Sequence, residues 1–143
     1  MNEVCAYFDV DLEGRFDHLR YEETNVANFV ADLILSEYDN VDIVLLNCGT
    51  LRSNAIMPSG DFTLRMMQNL LPMPDKVIQL RISGAVLLSL LENSVSQWPT
   101  LDGRFACFSG IKYSFDPDQP AGSRVHSVRR STDDSPMELS KTA

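Results

Sequence analysis

Apolar residues recur at helical spacing in Val26, Phe29, Val30, Leu33 and Ile34, with Thr24 standing where an N-terminal cap belongs. The spacing predicts a helix that ends near Tyr38-Asp39-Asn40. Residues 41–46 are too few for a typical helix and too apolar for a half-exposed strand, which predicts a buried strand. Pro58-Ser59-Gly60 turns the chain, and a second, short helix starts at Asp61 or Thr63 and must stop before Pro72. Residues 76–82 alternate enough for a strand whose apolar members are Val77, Leu80 and Ile82. Ser83-Gly84 caps a third helix, residues 85 to about 97, with Val86, Leu87, Leu90, Leu91 and Val95 as its apolar stripe. Two strands follow, at residues 111–115 and 124–129, around a turn-rich stretch from Asp116 to Gly122. This order predicts an α/β (α+β) fold: a single domain with a mixed β-sheet flanked by about three helices.

Composition narrows the functional classes. With 143 residues, 44% hydrophobic and 22% charged, the chain is long enough for one cored domain. A net charge of −8 argues against a partner such as a nucleic acid polymer, which rewards a broad basic face. It leaves room for a small phosphate ligand, because a few arginines in one pocket outweigh a distant acidic surface. No apolar run reaches the roughly 18 residues of a membrane segment, and the start MNEVCAYFDVDLEG does not read as a secretory signal. Cys5, Cys48 and Cys107 are odd in number and far apart, which favours a reduced compartment and leaves localisation unknown.

Two stretches carry candidate chemistry. Asn47-Cys48-Gly49-Thr50-Leu51-Arg52 follows the predicted buried strand, at the edge where ligands of open α/β sheets lie. Gly49 permits a sharp bend and exposed amides that cradle an anion, and Arg52 adds a positive fork suited to phosphate or carboxylate. The alternative is an ordinary strand-to-turn loop with a surface arginine. Arg20 precedes the first predicted helix start, a place that favours anions; the alternative there is an ion pair with Glu22 or Glu23. No catalytic residue is readable. His18 and His126 lie in different elements and cannot build a two-metal site, and no GxSxG elbow occurs. The methionines read as core or interface fillers, and Trp98 as an anchor for the end of the third helix.

In order along the chain stand LRYEETNVANFVADLIL, DIVLLNCGTLRS, SGDFTLRMMQNLLPMPD, LRISGAVLLSLLENSVSQ, GRFACFSGIKYSFDP and PAGSRV. Together they resemble the C-terminal, substrate-binding domain of the 5′-nucleotidase family. The resemblance runs from about Gly14 to the chain end, so residues 1–13 are expected to form an N-terminal extension and residues 14–143 the domain. It implies a parent protein with an N-terminal metallophosphoesterase domain that holds two divalent metals, while this chain itself carries no metal or other cofactor. The implied ligand is a nucleotide or nucleoside monophosphate.

Residue by residue, the resemblance places Arg20 at the substrate's phosphate or ribose. Asn47, Gly49 and Arg52 stand on the family's NGGGIR-type loop, in which Cys48 and Thr50 replace other residues. Met73, in LPMPD, occupies the place of an aromatic residue that stacks on the base, and Asp75 stands where a polar residue can face the ligand. The family's GGDGF-like segment, which supplies a second stacking ring, should follow LSKTA, so the domain is expected to be incomplete at its C-terminal end. The function implied is nucleotide recognition for 5′-nucleotide hydrolysis without the catalytic half. The alternative is a non-catalytic or degenerate interaction module that retains the fold.

Overall fold

The computed structural model describes residues 2–137 and 139. Its strands are β1 (Val4–Phe8), β2 (Leu12–Glu13), β3 (Val44–Asn47), β4 (Ile56–Met57), β5 (Gly60–Thr63), β6 (Ala106–Ser109), β7 (Ile111–Phe115) and β8 (Val125–Arg130). Its helices are α1 (Phe16–Leu19), α2 (Asn25–Ser36), α3 (Leu64–Leu70) and α4 (Gly84–Val95), with a 3-10 turn at Cys48–Thr50. The α/β class expected from the sequence stands. Its strands form four two-stranded antiparallel ladders, β1–β5, β2–β4, β3–β6 and β7–β8, rather than one mixed sheet.

The main core lies under α2. Val26, Ala27, Val30 and Ala31 are buried at helical spacing and join one cluster with Val44, Cys48, Phe105 and Cys107 of the β3–β6 region. Phe8 of β1, Phe29 of α2 and Phe62 of β5 pack edge to face at one end, with Phe8 at 4.9 Å from Phe29 and 5.5 Å from Phe62. A smaller core joins Leu87 and Leu91 of α4 to Ile111 and Val128 of the last ladder. Glu92, only 8% exposed, fastens the two parts together. Its carboxylate accepts from the N–H groups of Arg124 and Val125, each at 2.9 Å. The Arg124 guanidinium in turn donates to the carbonyls of Val95 (2.5 Å) and Trp98 (2.9 Å), neutralising the C-terminal end of α4.

Local signals located several elements well. Thr63 and Ser83 cap α3 and α4, accepting from Met66 N–H and Val86 N–H at 3.4 and 3.3 Å. Thr24 does occupy the N-cap of α2, but its hydroxyl makes no capping bond and is buried without a partner among the described residues. Residues 1–13, expected as an extension, carry β1 and β2, and both strands are paired into the domain.

Three expectations need correction. Residues 76–82 form no strand, and Val77, Leu80 and Ile82 are exposed, Leu80 by 73%. Alternation supplies a strand's faces but not its ladder, and among the described residues β3 pairs with β6 alone. The strand before the Asn47 loop is also not buried throughout, since Leu45 points outward and is exposed. On α4 the stripe is narrower than predicted: Leu87, Leu91 and Val95 are buried, whereas Val86 and Leu90 are exposed.

Candidate functional site

The loop after β3 is held by backbone. Cys48 N–H donates to Phe105 O at 2.7 Å, Gly49 N–H to Gly103 O at 2.9 Å, Leu51 N–H to Cys48 O at 3.1 Å and Arg52 N–H to Leu70 O at 2.8 Å. The amide cradle expected at Gly49 is therefore not available, because its donor is already engaged. Gly49 serves a different need. A Cβ there would lie 3.0 Å from both Cα and O of Gly103, so glycine is what lets the two loops touch. The Asn47 amide adds a long contact to Gly103 O at 3.4 Å, and among the described residues its carbonyl oxygen is left to accept.

The charge at this loop comes from side chains. The Arg20 guanidinium carbon sits 4.3 Å from the centroid of the Phe16 ring, and that of Arg52 sits 5.7 Å from the same centroid. One aromatic ring thus gathers two arginines from segments 32 residues apart in sequence. Neither arginine belongs to an ion pair among the described residues. The acids expected to take Arg20 are occupied elsewhere: Glu22 by His18 Nδ1, and Glu23 by the Asn28 side-chain amide at 2.7 Å. Arg20 Nε is buried without a partner among the described residues. The Arg52 guanidinium makes one contact back to Gly49 O, at 3.3 Å.

Several interactions hold this arrangement in place. Phe16 N–H donates to the Asn54 side chain at 3.0 Å, and Asn54 itself adopts a left-handed backbone with φ of 45°. Gly14 lies so close to the same loop that a Cβ would fall 2.4 Å from Ser53 Oγ. Trp98 stacks on Tyr21 with centroids 5.0 Å apart and donates its indole N–H to Tyr21 O at 3.1 Å, which steadies the residue after Arg20. Trp98 therefore anchors the α1–α2 junction as well as the end of α4.

Beside the arginines runs a network of charged groups. Arg15 grips Glu13 through two side-chain hydrogen bonds of 2.9 and 2.6 Å and donates to His18 Nε2 at 3.0 Å. Since arginine only donates, His18 accepts at Nε2 and carries its proton on Nδ1, facing Glu22. Hydrogen bonding from Arg15 holds the Glu13 carboxyl down at about 2. A depressed carboxyl stabilises the fold above its ordinary value of 4.5 and ceases to do so as pH falls from there toward about 2. Glu13→Gln is therefore expected to flatten the acid limb of stability, measured by urea unfolding between pH 5 and 2. Parallel limbs for the two proteins would remove Glu13 from the acid response.

Not every candidate converges. Met73 is 46% exposed and Asp75 is also exposed, both on the irregular stretch after α3. A cavity of about 330 Å³ is lined by Asn47 with Asn93, Asp102, Arg104, Leu45 and Leu90 among others; Arg20 and Arg52 do not line it. Arg104 is paired there with Asp102 at 3.1 Å, and hydrogen bonds from Arg104 lower the Asp102 carboxyl. Among the described residues no three His, Cys, Asp or Glu side chains converge on a metal-sized site. The two metals implied by the family resemblance therefore find no donor set in the described part of the chain.

Phe16, Gly103 and Asp102 do not stand out in the sequence. Phe16 leaves one signal, its position four residues before Arg20, where a short helix brings ring and guanidinium together. Gly103 leaves only a turn signal.

Set against known proteins, this architecture has clear counterparts. The family model of the 5′-nucleotidase C-terminal domain matches residues 4–142. The chain belongs to that family. It is 32% identical over 131 residues to the trifunctional nucleotide phosphoesterase YfkN of Bacillus subtilis, a match covering 90% of this chain and 9% of that protein. Among solved structures, the 5′-nucleotidase precursor of Thermus thermophilus superposes with a TM-score of 0.88 at 35% identity, covering 100% of this chain and 28% of that one. The NAD nucleotidase of Haemophilus influenzae shares the fold at 18% identity, with a TM-score of 0.80 and coverage of 98% and 26%. This 5′-nucleotidase C-terminal domain thus spans less than a third of each of these relatives, and the catalytic domain of the family lies outside it.

Proposed function

We propose that this chain is the nucleotide-recognition domain of a 5′-nucleotidase-type metallophosphohydrolase, whose reaction converts a 5′-nucleotide and water to a nucleoside and phosphate. Residues 14–143, together with the β1 and β2 segment paired into them, would be the recognition unit, and its partner an N-terminal metallophosphoesterase domain that supplies two divalent metals and the hydrolytic step. The observation that carries this reading is the pair of arginines gathered on Phe16, neither of them in an ion pair among the described residues. Two neighbouring guanidiniums repel each other, and an anion bridging them relieves that repulsion while accepting charge-assisted hydrogen bonds.

Arg20 and Arg52 hold the phosphate end of a nucleoside monophosphate. The side-chain carbonyl oxygen of Asn47 accepts from the ribose or the base edge, and Gly49 keeps the loop close to Gly103 so that Asn47 stays aimed. The family resemblance would bring the exposed Met73 over one face of the base, with Asp75 beside it, only as the bound nucleotide reaches them. A methionine sulfur contributes about 0.3–1.5 kcal/mol against an aromatic ring, less than the roughly 1–3 kcal/mol of base stacking on an aromatic side chain. The phosphate contacts therefore dominate, and two of them at about 1.5–3 kcal/mol each give a dissociation constant on the order of 1 mM.

Titration calorimetry with AMP and adenosine tests the assignment. AMP is expected to bind at that level, and adenosine at least about tenfold more weakly, since it lacks the charge the arginines grip. Equal affinity for the two would sink it.

A second reading, an interaction module that keeps the fold without recognising nucleotides, is favoured by one observation. Val77, Ile78, Leu80 and Ile82 form an exposed apolar stretch next to the exposed Met73. Absence of any AMP heat would move the weight to that reading.

A further inference from the structure

Two buried thiols, one in the arginine loop and one on the strand beside it, have no part in the recognition described above. In the β3–β6 ladder Cys107 stands opposite Leu46. Cys48 continues the ladder by donating its N–H to Phe105 O at 2.7 Å. Cys48 and Phe105 each stand one residue beyond the ladder, and that hydrogen bond carries its register one step further, which sets Cys48 diagonally from Cys107 on the face that Leu46 and Cys107 share. That face is the one under α2: Cys107 Sγ lies 3.6 Å from Ala27 O of the helix and 3.5 Å from Leu46 O. Both residues belong to the main core cluster, with Cys48 1% and Cys107 8% exposed.

The two thiols are not equivalent. The neighbouring Cys107 thiol is the largest influence lowering the Cys48 thiol, and the positive charge of Arg20 acts in the same direction. The Cys48 thiol, together with burial, pushes the Cys107 thiol up. The positive charge favours a thiolate at Cys48, which makes Cys48 the attacking thiol of the proposal and Cys107 the group that follows it.

We propose that Cys48 and Cys107 form a dithiol that hydrogen peroxide closes to a disulfide, and that this closure loosens the arginine loop. The second half of the proposal rests on the nucleotide-recognition reading. Burial selects a small oxidant over a bulky disulfide such as oxidised glutathione. The Cys48 thiolate attacks one peroxide oxygen, the O–O bond breaks, and the departing oxygen leaves as water with protons from the thiol and the peroxide. Cys48 is then a sulfenic acid. The Cys107 sulfur attacks the Cys48 sulfur, the S–O bond breaks, and hydroxide leaves as a second water with the Cys107 proton. Two thiols are oxidised by two electrons in all, and one peroxide is reduced to two waters.

Coupling to the loop follows from distance. Diagonal residues of an antiparallel pair have Cα atoms about 7–8 Å apart, whereas a disulfide draws them to about 4.4–6.8 Å. Closure therefore pulls Cys48 toward β6. Cys48 opens the 3-10 turn that leads to Arg52, and Gly49 already touches Gly103 with no slack. The displacement passes along the turn to Gly49 O, where Arg52 is held, and shifts that guanidinium from Phe16.

The test uses the full chain with exposed Cys5 replaced, Cys5→Ser, so that intermolecular pairing does not intervene. Peroxide is expected to yield a Cys48–Cys107 cross-linked peptide by mass spectrometry and to weaken AMP binding by about tenfold, the loss of one charge-assisted contact. A thiol reductant should restore both. Cys107→Ser, or Cys107→Ala where serine impairs folding, should stop at a Cys48 sulfenic acid trapped by dimedone, with no cross-link. Failure to form the cross-link while Cys48 is oxidised, or while both thiols stay reduced, overturns the proposal. A cross-link with unchanged AMP affinity overturns its coupling half. If the reduced chain binds no AMP, the recognition reading fails separately. The coupling is then read from the backbone amide signals of Gly49 and Arg52, which closure must move and whose constancy would overturn it.

Discussion

Replacing Arg20 and Arg52 together by alanine is expected to abolish calorimetrically measurable AMP binding, and either single replacement to weaken it by about 10- to 150-fold. The range follows from about 1.5–3 kcal/mol for a hydrogen bond to a charged group. The two effects should not simply add, because both cations lean on one Phe16 ring and repel each other when no anion is present. Removing either arginine relieves that repulsion and takes away part of what the ligand would have relieved. A double-mutant cycle including Phe16→Leu exposes the sharing: leucine keeps the packing but not the cation–π attraction, worth about 0.5–2 kcal/mol, and should weaken AMP and blunt both arginine effects. Arg52 is exposed and makes no ion pair among the described residues, so Arg52→Ala should leave thermal stability nearly unchanged. Loss of stability in step with loss of binding would mean that the arginine acts through the fold.

The largest effect expected on folding comes from Gly110→Ala, at about 3 kcal/mol of lost stability, and a fall in melting temperature on the order of 10 °C. Gly110 joins β6 to β7 with φ of 91°, a left-handed conformation that a side chain resists. A Cβ there would fall 2.0 Å from Asp42 O, a backbone atom that cannot swing aside. Gly122 separates the two causes, since it has the same φ of 91° but nothing within 4 Å of its would-be Cβ. Gly122→Ala should cost only about 1 kcal/mol, the backbone part of the penalty. Equal melting shifts for the two variants would contradict the clash with Asp42.

What the sequence reveals is what local chemistry decides. The last two strands lie within a residue of their expected ends because turn residues enclose them, and α3 and α4 are legible through caps at Thr63 and Ser83. Strands β1 and β2 are not legible. Each is short and takes its state from a distant partner, β1 from β5 and β2 from β4, and no local pattern encodes that pairing. Residues 76–82 mislead in the opposite sense, with strand-like alternation but no ladder. Glu92 looks like a polar interruption beside the stripe of α4 and is instead the buried acceptor for two β8-region amides.

At the candidate site, Arg20, Asn47, Gly49 and Arg52 stand out from the charge, the turn chemistry and the ordered segments. Gly49 suggests an anion cradle, whereas it provides close approach to Gly103. Phe16 is hidden because its function depends on Arg52, 36 residues away in sequence. The cysteines read as unrelated because 59 positions separate them, and only the β3–β6 register brings them to one face.

The central claim is that a phosphate-bearing nucleoside is held where Arg20 and Arg52 meet on Phe16. Titrating AMP into isotopically labelled protein while following nitrogen–proton correlation signals tests it most directly. The account predicts that the Phe16, Gly49 and Arg52 amides and the buried Arg20 Nε–H shift together along one saturation curve, with adenosine producing far smaller changes. Saturable AMP shifts confined to Asn93 and Arg104 in the neighbouring cavity, with the arginine signals still, would contradict it.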